Sequence, residues 1–404
     1  MRFLYLIFLC VLTIATGAAN AAVTKEPDAT RMTHGGIEFY HSLHRYLSHR
    51  QAELAAQREK EVKRLLSLPE DELAPVIDNY RVELQDVLGV PDECGKSTPP
   101  KLIKKTKIDT DMPFDLWRLH LSVCEGLIDS YGILGVPKSA TAPLPLVMAI
   151  HGTAAGPERL LGLDSAQTYT VKDYHHEFAK RLLEEGYAVY VPQLITETTK
   201  KKDTSYEEYR NALDMRGRSL AVGLMGAEVG TLTSAMDYLT TLPEIDANNI
   251  GVYGISLGGT IAHFLAAIDT RFDAVVLSQW VEKRSPKLAG YDYKAANWKY
   301  PLSGFIIPWA FLEKFDDVML SFLVAPAGLF IEAGKHDGGN RTDGAKSVYP
   351  MIRKIYEHMG LASKDACLEI GDASHEIVFK GAKGFLDYRL RNKTSTWNCK
   401  AISN

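Results

Sequence analysis

The chain predicts an α/β protein, a mostly parallel central sheet with helices on both faces, preceded by a helical N-terminal extension. Three observations carry this. First, PLVMAI, YAVYV, NIGVYG, FDAVVLS, GLFIEAG and ACLEIG are apolar runs of strand length separated by helical patterns such as HEFAKRLLEEG and AKSVYPMIRKIYEHMG. Strands that are apolar throughout are those of a parallel sheet covered on both faces. Second, Val222, Met225, Val229, Leu232, Met236 and Leu239 recur at alternating steps of three and four before Pro243, which marks a helix packed in the core. Third, residues from about Thr33 to Leu88 are polar and helix-forming, closing at Gly89, and their charged stripe reads as a solvated face.

In chain order, MRFLYLIFLCVLTIATGAANA carries one positive charge at Arg2, an apolar run from Phe3 to Ile14 and the triplet Ala19-Asn20-Ala21. That order reads as a secretory signal peptide over residues 1–21, too short to span a bilayer. Residues 22–100 form the helical extension, ending in a Pro-Lys-rich linker around Ser97 to Lys105, and residues 101–404 form the α/β domain. Within it, residues 280–325 interrupt the alternation with many aromatics, a pattern expected of a lid or pocket wall.

Formal charge is −4 with both signs interleaved, which excludes a nucleic-acid footprint and a basic membrane-surface patch. After signal cleavage the expectation is an exported protein, periplasmic or extracellular, with no membrane segment. Four cysteines then remain, Cys94, Cys124, Cys367 and Cys399. Locality favours Cys94 with Cys124 and Cys367 with Cys399, against the alternative of free buried thiols. No Cys-x-x-Cys, no third ligand beside His41 and His44 and no H-E-x-x-H at His175-His176-Glu177 argue against a metal site. GVPDECGKS has one residue too many between its glycines for a phosphate-binding loop.

The most specific signal is VYGISLGG, where Gly254-Ile255-Ser256-Leu257-Gly258 fits G-x-S-x-G between a strand and a helix. Such a turn strains the serine backbone, tolerates only small neighbours and exposes the serine oxygen at the carboxyl edge of the sheet. Ser256 is the candidate nucleophile, and the Leu257 N–H at the helix start is a candidate oxyanion donor. AIHGTAAG ends an earlier strand, and its small residues let the loop turn back, so the Thr153 N–H is the second candidate donor, with His151 supporting the loop.

A nucleophilic serine needs a base, and the base an orienting acid; where the serine sits on such a strand-to-helix turn, the chain order is serine, acid, histidine. His263 and His358 fall within helices, whereas His375 in GDASHEI leaves the last apolar strand just before the final helix. His375 is the candidate base. For the acid, GLFIEAGKHDGG offers Glu332 on the strand and Asp337 in the loop beyond it. Asp337 is preferred because a loop carboxylate can reach the base, with Glu332 and Asp372 as rivals and His336 as a bystander. Trp280, Trp298 and Trp309 are candidate pocket residues from the aromatic excursion.

On IHG, on MDYLTTLPEIDANNIGVYGISLGGTIAHFLAAIDTRFDAVVLS, on APAGLFIEAGKHDG and on SHEI, residues from about Lys105 to Leu390 resemble the α/β-hydrolase superfamily. The resemblance is to its dienelactone-hydrolase-like group, which includes acetyl xylan esterases. It implies Ser256, Asp337 and His375 as the triad, no metal or cofactor, and a small-molecule or carbohydrate ester as substrate, with short acetyl-like acyl groups. KHDGGN departs from the proline-containing loop that often follows the acid in relatives. The rival readings are a prolyl-oligopeptidase-like serine peptidase, whose propeller repeats the chain does not show, and an inactive hydrolase fold used for binding.

Overall fold

The computed structural model describes residues 33–95, 98–153, 155–163, 173–196, 206–284, 308–337, 341–392 and 397–399. The signal-peptide segment and Trp298 lie outside the described residues. Two N-terminal helices, α1 (His34–Leu65) and α2 (Glu70–Leu88), precede the sheet. Strands β1 (Lys101–Ile108), β2 (Phe114–Val123), β3 (Ile128–Pro137), β4 (Leu144–Ile150) and β5 (Ala188–Pro192) form its first half. Strands β6 (Ile245–Ile255), β7 (Ala274–Ser278), β8 (Gly328–Gly334) and β9 (Ala366–Gly371) complete it. The helices between them are α3 (Pro157–Leu160), α4 (Phe178–Glu184), α5 (Tyr206–Arg218), α6 (Leu224–Leu239), α7 (Leu257–Ile268), α8 (Phe311–Lys314), α9 (Asp317–Val324), α10 (Arg341–His358) and α11 (Lys380–Arg391).

The nine strands lie in the order β1-β2-β3-β5-β4-β6-β7-β8-β9. β1, β2 and β3 form an antiparallel meander joined antiparallel to β5, and every pairing from β5 through β4 to β9 is parallel. β5, β7 and β8 are buried along their whole length, as their unbroken apolar runs require. Alternate residues of one strand serve different cores: Leu146, Met148 and Ile150 join one cluster, Val147 and Ala149 the other. The first cluster contains residues of α1, α2, α6, α7, α9 and α10, the second residues of α4 and α11.

Two local differences from the sequence reading have simple causes. The expected linker enters strand β1 at Lys101, pairing from Lys101 opposite Ser122 to Ile108 opposite Leu116. This edge strand is exposed along almost its whole length, so it has no apolar alternation to read, and its four lysines discourage pairing with other chains. The apolar stripe begins one turn late, because α6 starts at Leu224, whose N–H is capped by Asp214 of α5 at 3.1 Å. Met225, Val229, Leu232, Met236 and Leu239 are buried as the periodicity demands.

Leu73, Ile77, Leu84 and Leu88 bury the apolar face of α2 in the same core as α6 and α7. A disulfide from Cys94 to Cys124 ties the turn after α2 to the β2–β3 turn, and one from Cys367 to Cys399 ties β9 to the C-terminal segment. Loops of this length give each crosslink roughly 3.5 kcal/mol through the unfolded chain. Among the described residues, no helix is long and apolar enough to cross a membrane.

Candidate active site

The parallel topology sends the loops after β4, β6, β7, β8 and β9 to one edge of the sheet, and every described residue singled out as a site candidate in the sequence except Trp309 lies on or beside them. At the end of β6 the chain passes from strand to helix through Ser256 alone, with φ 57° and ψ −118°. That is a conformation a non-glycine residue holds only when its surroundings impose it. They do so here: the Ser256 N–H donates to the Ser278 carbonyl at 3.0 Å, and the Ser256 carbonyl accepts from the Thr260 N–H at 2.9 Å. A Cβ at Gly254 would collide with the Gly258 carbonyl, and one at Gly258 with the Ile150 carbonyl, so the two flanking glycines are steric necessities.

At the ends of β8 and β9, His375 Nδ1 lies 2.8 Å from Asp337 Oδ2. A carboxylate only accepts, so Nδ1 carries the proton and Nε2 keeps the lone pair, the tautomer of a general base. The Asp337 side chain is 5% exposed and that of His375 31%, so the acid is shielded while the imidazole keeps an open side. The two loops are held together by continuation of the β8–β9 ladder, Lys335 N–H to Gly371 carbonyl at 2.9 Å and His336 N–H to Ala373 carbonyl at 2.8 Å.

The other carboxylates of this region are engaged differently. Glu332 is buried on β8 and accepts from Tyr253, Ser278, Val378 and Phe379. Asp372 is 85% exposed and pairs with His336 at 2.8 Å. Gln279, just past β7 at φ 53°, accepts from the Gly334 N–H through its side-chain oxygen and donates its amide N–H to the Glu376 carbonyl.

On the opposite side, buried His151 donates from Nδ1 to the Gly152 carbonyl and accepts the Leu194 N–H at Nε2. Desolvation pushes its pKa down to about 3, so it is neutral. The Gly152 N–H donates to His175 Nε2 at 3.0 Å. Tyr174 donates its hydroxyl to the Thr153 carbonyl at 2.7 Å, its own carbonyl accepts the Ile377 N–H at 2.9 Å, and its ring lies 5.6 Å from that of His375. His176 adds a contact to Glu376 at 2.8 Å. Residues 174–176 thus clasp the loop after β4 to the histidine loop. The N–H groups of Thr153 and Leu257 have no hydrogen-bond partner among the described residues, as donors for an oxyanion would require.

Sequence reading missed this clasp, together with Gln279 and Ser278. His175-His176 drew attention only as a failed metal motif, and nothing local marks residues whose partners lie 21 to 200 positions away. Trp280 is 5% exposed, its Cβ lies beside Gly259, and the Arg284 guanidinium stacks 4.3 Å from its ring centre. Trp309 is 76% exposed and lines a cavity of about 680 Å³ with Asp86, Leu88, Asp214, Arg218 and Val222. Among the described residues no cluster of histidine, cysteine or acidic side chains is arranged to hold a metal.

The strained Ser256 turn after a central parallel strand and the paired Asp337 and His375 after the last two strands thus stand at one sheet edge. The chain has the α/β-hydrolase fold. Residues 166–286, which contain the Ser256 turn, match the model of the dienelactone hydrolase family. Among solved structures, a protein assigned as an acetyl xylan esterase from Bacteroides fragilis is similar at 16% identity and TM-score 0.59, over 76% of this chain and 77% of that one. A carbohydrate esterase family 15 glucuronoyl esterase from Caldicellulosiruptor kristjansonii is similar at 20% identity and TM-score 0.57, over 83% and 90%. A glucuronoyl esterase from Teredinibacter turnerae follows at 16% and 0.53, over 78% and 84%. At these identities the likeness establishes the fold. No protein of curated function matches the sequence. The family match supports a carboxylic ester hydrolase.

Proposed function

We propose that the protein is an exported serine esterase that cleaves esters of carbohydrates by an acyl-enzyme mechanism, with short acetyl-like acyl groups as the preferred class. The observation that carries the reading is the strained Ser256 turn at the same sheet edge as the shielded Asp337–His375 pair. Ser256 Oγ attacks the ester carbonyl while His375 Nε2 takes its proton. The oxyanion is met by the Leu257 and Thr153 N–H groups. The imidazolium, stabilised by Asp337, then protonates the leaving alkoxide. Water, activated by the same histidine, attacks the acyl-serine and regenerates the enzyme.

Export is supported by the N-terminal pattern and by two disulfides, which persist in oxidising compartments. The carbohydrate is supported by the kinds of enzyme that share the fold. Glucuronoyl esterases among those neighbours suggest a second substrate, an ester whose acid part is itself a sugar. The discriminating experiment compares acetylated oligosaccharides, alkyl esters of a sugar acid, and p-nitrophenyl esters of increasing chain length. Turnover of acetylated sugars above all others supports the main reading, preference for the sugar-acid esters the second, and preference for long acyl chains overturns both. Stoichiometric labelling of Ser256 by an organophosphonate is expected, whereas a hydrolase fold used only for binding would not react. Cleavage of proline-containing peptides without ester hydrolysis would favour the peptidase.

A further inference from the structure

Glu332 is a buried carboxylate beside the site that the proposed mechanism leaves unused. Its Oε1 accepts from the Ser278 hydroxyl at 2.8 Å and the Val378 N–H at 2.9 Å, its Oε2 accepts from the Phe379 N–H at 2.9 Å, and the Tyr253 hydroxyl lies 3.2 Å from both. These donors come from three different places. Tyr253 stands three residues before Ser256 on β6. Ser278 ends β7, and its carbonyl holds the Ser256 N–H. Val378 and Phe379 follow His375 by three and four residues.

We propose that Glu332 is a positioning residue that sets the histidine loop against the nucleophile turn. This rests on the reading of Ser256 and His375 as nucleophile and base. The chemistry of the donors is decisive. A hydroxyl can reverse its bond, but a backbone N–H can only donate. One such N–H faces each oxygen, so each oxygen must accept at least one bond. Burial pushes the Glu332 carboxyl above its ordinary value, and the two N–H groups and the hydroxyls oppose that by stabilising the ionised form. An amide at this position would set its NH2 against either the Val378 or the Phe379 N–H. One buried donor would lose its partner and the loop would shift to find another. A displacement of the base by a fraction of an ångström is enough to slow proton transfer without altering substrate binding.

The test is Glu332→Gln assayed with p-nitrophenyl acetate beside Asp337→Asn, Ser256→Ala and the double variant Tyr253→Phe/Ser278→Ala, which keeps both backbone bonds. Expected for Glu332→Gln are a kcat lowered 10- to 100-fold, KM within about threefold, and organophosphonate labelling slowed in proportion, in a protein with native circular dichroism. The double variant should keep kcat within about fivefold. Hydrogen exchange on the unaltered protein should find the Val378 and Phe379 amides protected despite their place in a loop, which keeps the idea testable should Glu332→Gln not fold. A folded Glu332→Gln variant with unchanged kcat, or rapid exchange of both amides, would overturn the proposal. Loss in Glu332→Gln equal to complete inactivation, with Asp337→Asn active, would make Glu332 the orienting acid and overturn it too. Full activity of Ser256→Ala would instead remove the mechanism, and exchange protection would then stand as a purely structural result.

Discussion

Two histidine–aspartate pairs bridge the same two loops at the same distance. His375 reaches back from the loop after β9 to Asp337, and His336 reaches across from the loop after β8 to Asp372, each at 2.8 Å. The acid of one pair is the chain neighbour of the histidine of the other. They differ in solvent. Asp337 is 5% exposed, against 85% for Asp372, and His336 is 56% exposed, against 31% for His375. A shielded carboxylate holds an imidazole in one tautomer and stabilises its charged form in a low dielectric, while an exposed pair is screened and contributes at most about 1 kcal/mol. Geometry between two side chains therefore does not identify an active site; the environment that makes the geometry effective does.

The largest effects test this directly. His375→Ala should lower kcat by roughly 10^5-fold with p-nitrophenyl acetate, because both proton transfers are lost. If activity persists while His336→Ala is dead, the two pairs have been assigned the wrong way round. Asp337→Asn should cost about 10^4-fold by disfavouring the required tautomer, whereas the same change at Asp372 should be nearly silent.

Acid should act on the buried histidines. Desolvation pushes His151 and His263 down to about 3 and also lowers His175. Unfolded histidine takes up its proton near pH 6.5, so between that pH and about 3 the unfolded state binds more protons than the folded one. The contribution of His151 and His263 is full above pH 6.5 and is lost on acidification by up to about 1.4 kcal/mol per pH unit for each of the two, opposed over part of that range by Asp317, whose buried carboxyl is raised to about 6. Both ring nitrogens of His263 are buried without a hydrogen-bond partner among the described residues. His263→Leu should therefore flatten the acid slope of urea-unfolding free energy measured from pH 7 to 4; an unchanged slope would show that His263 does not titrate with unfolding. The smallest expected effect is that of His336→Ala or Asp372→Asn, within about twofold in kcat/KM and within about 1 kcal/mol in stability.

The elbow serine was legible because its turn leaves a local signature, small residues at fixed offsets between an apolar strand and a helix. The pairing of His375 with Asp337 could be anticipated from position, since loops at the carboxyl ends of late parallel strands converge on one edge. Glu332 illustrates the limit. On the strand it looked like a competing acid, and only the folded chain brings the Val378 and Phe379 N–H groups to its two oxygens. Tyr174 and His175 were invisible for the same reason, being ordinary residues whose partners are Thr153, Gly152 and Ile377.

From the sequence by itself followed the parallel sheet, the core stripe of α6, both cysteine pairings and the turn bearing Ser256, because each is written in spacing or in neighbours close along the chain. Tertiary structure alone decided the edge strand β1, whose solvent-facing residues carry no pattern, and the burial that separates Asp337 from Asp372. It also decided the clasp around the histidine loop. Hydrogen bonds between residues tens to hundreds of positions apart depend on where backbone donors come to rest, and backbone donors are the same at every residue but proline.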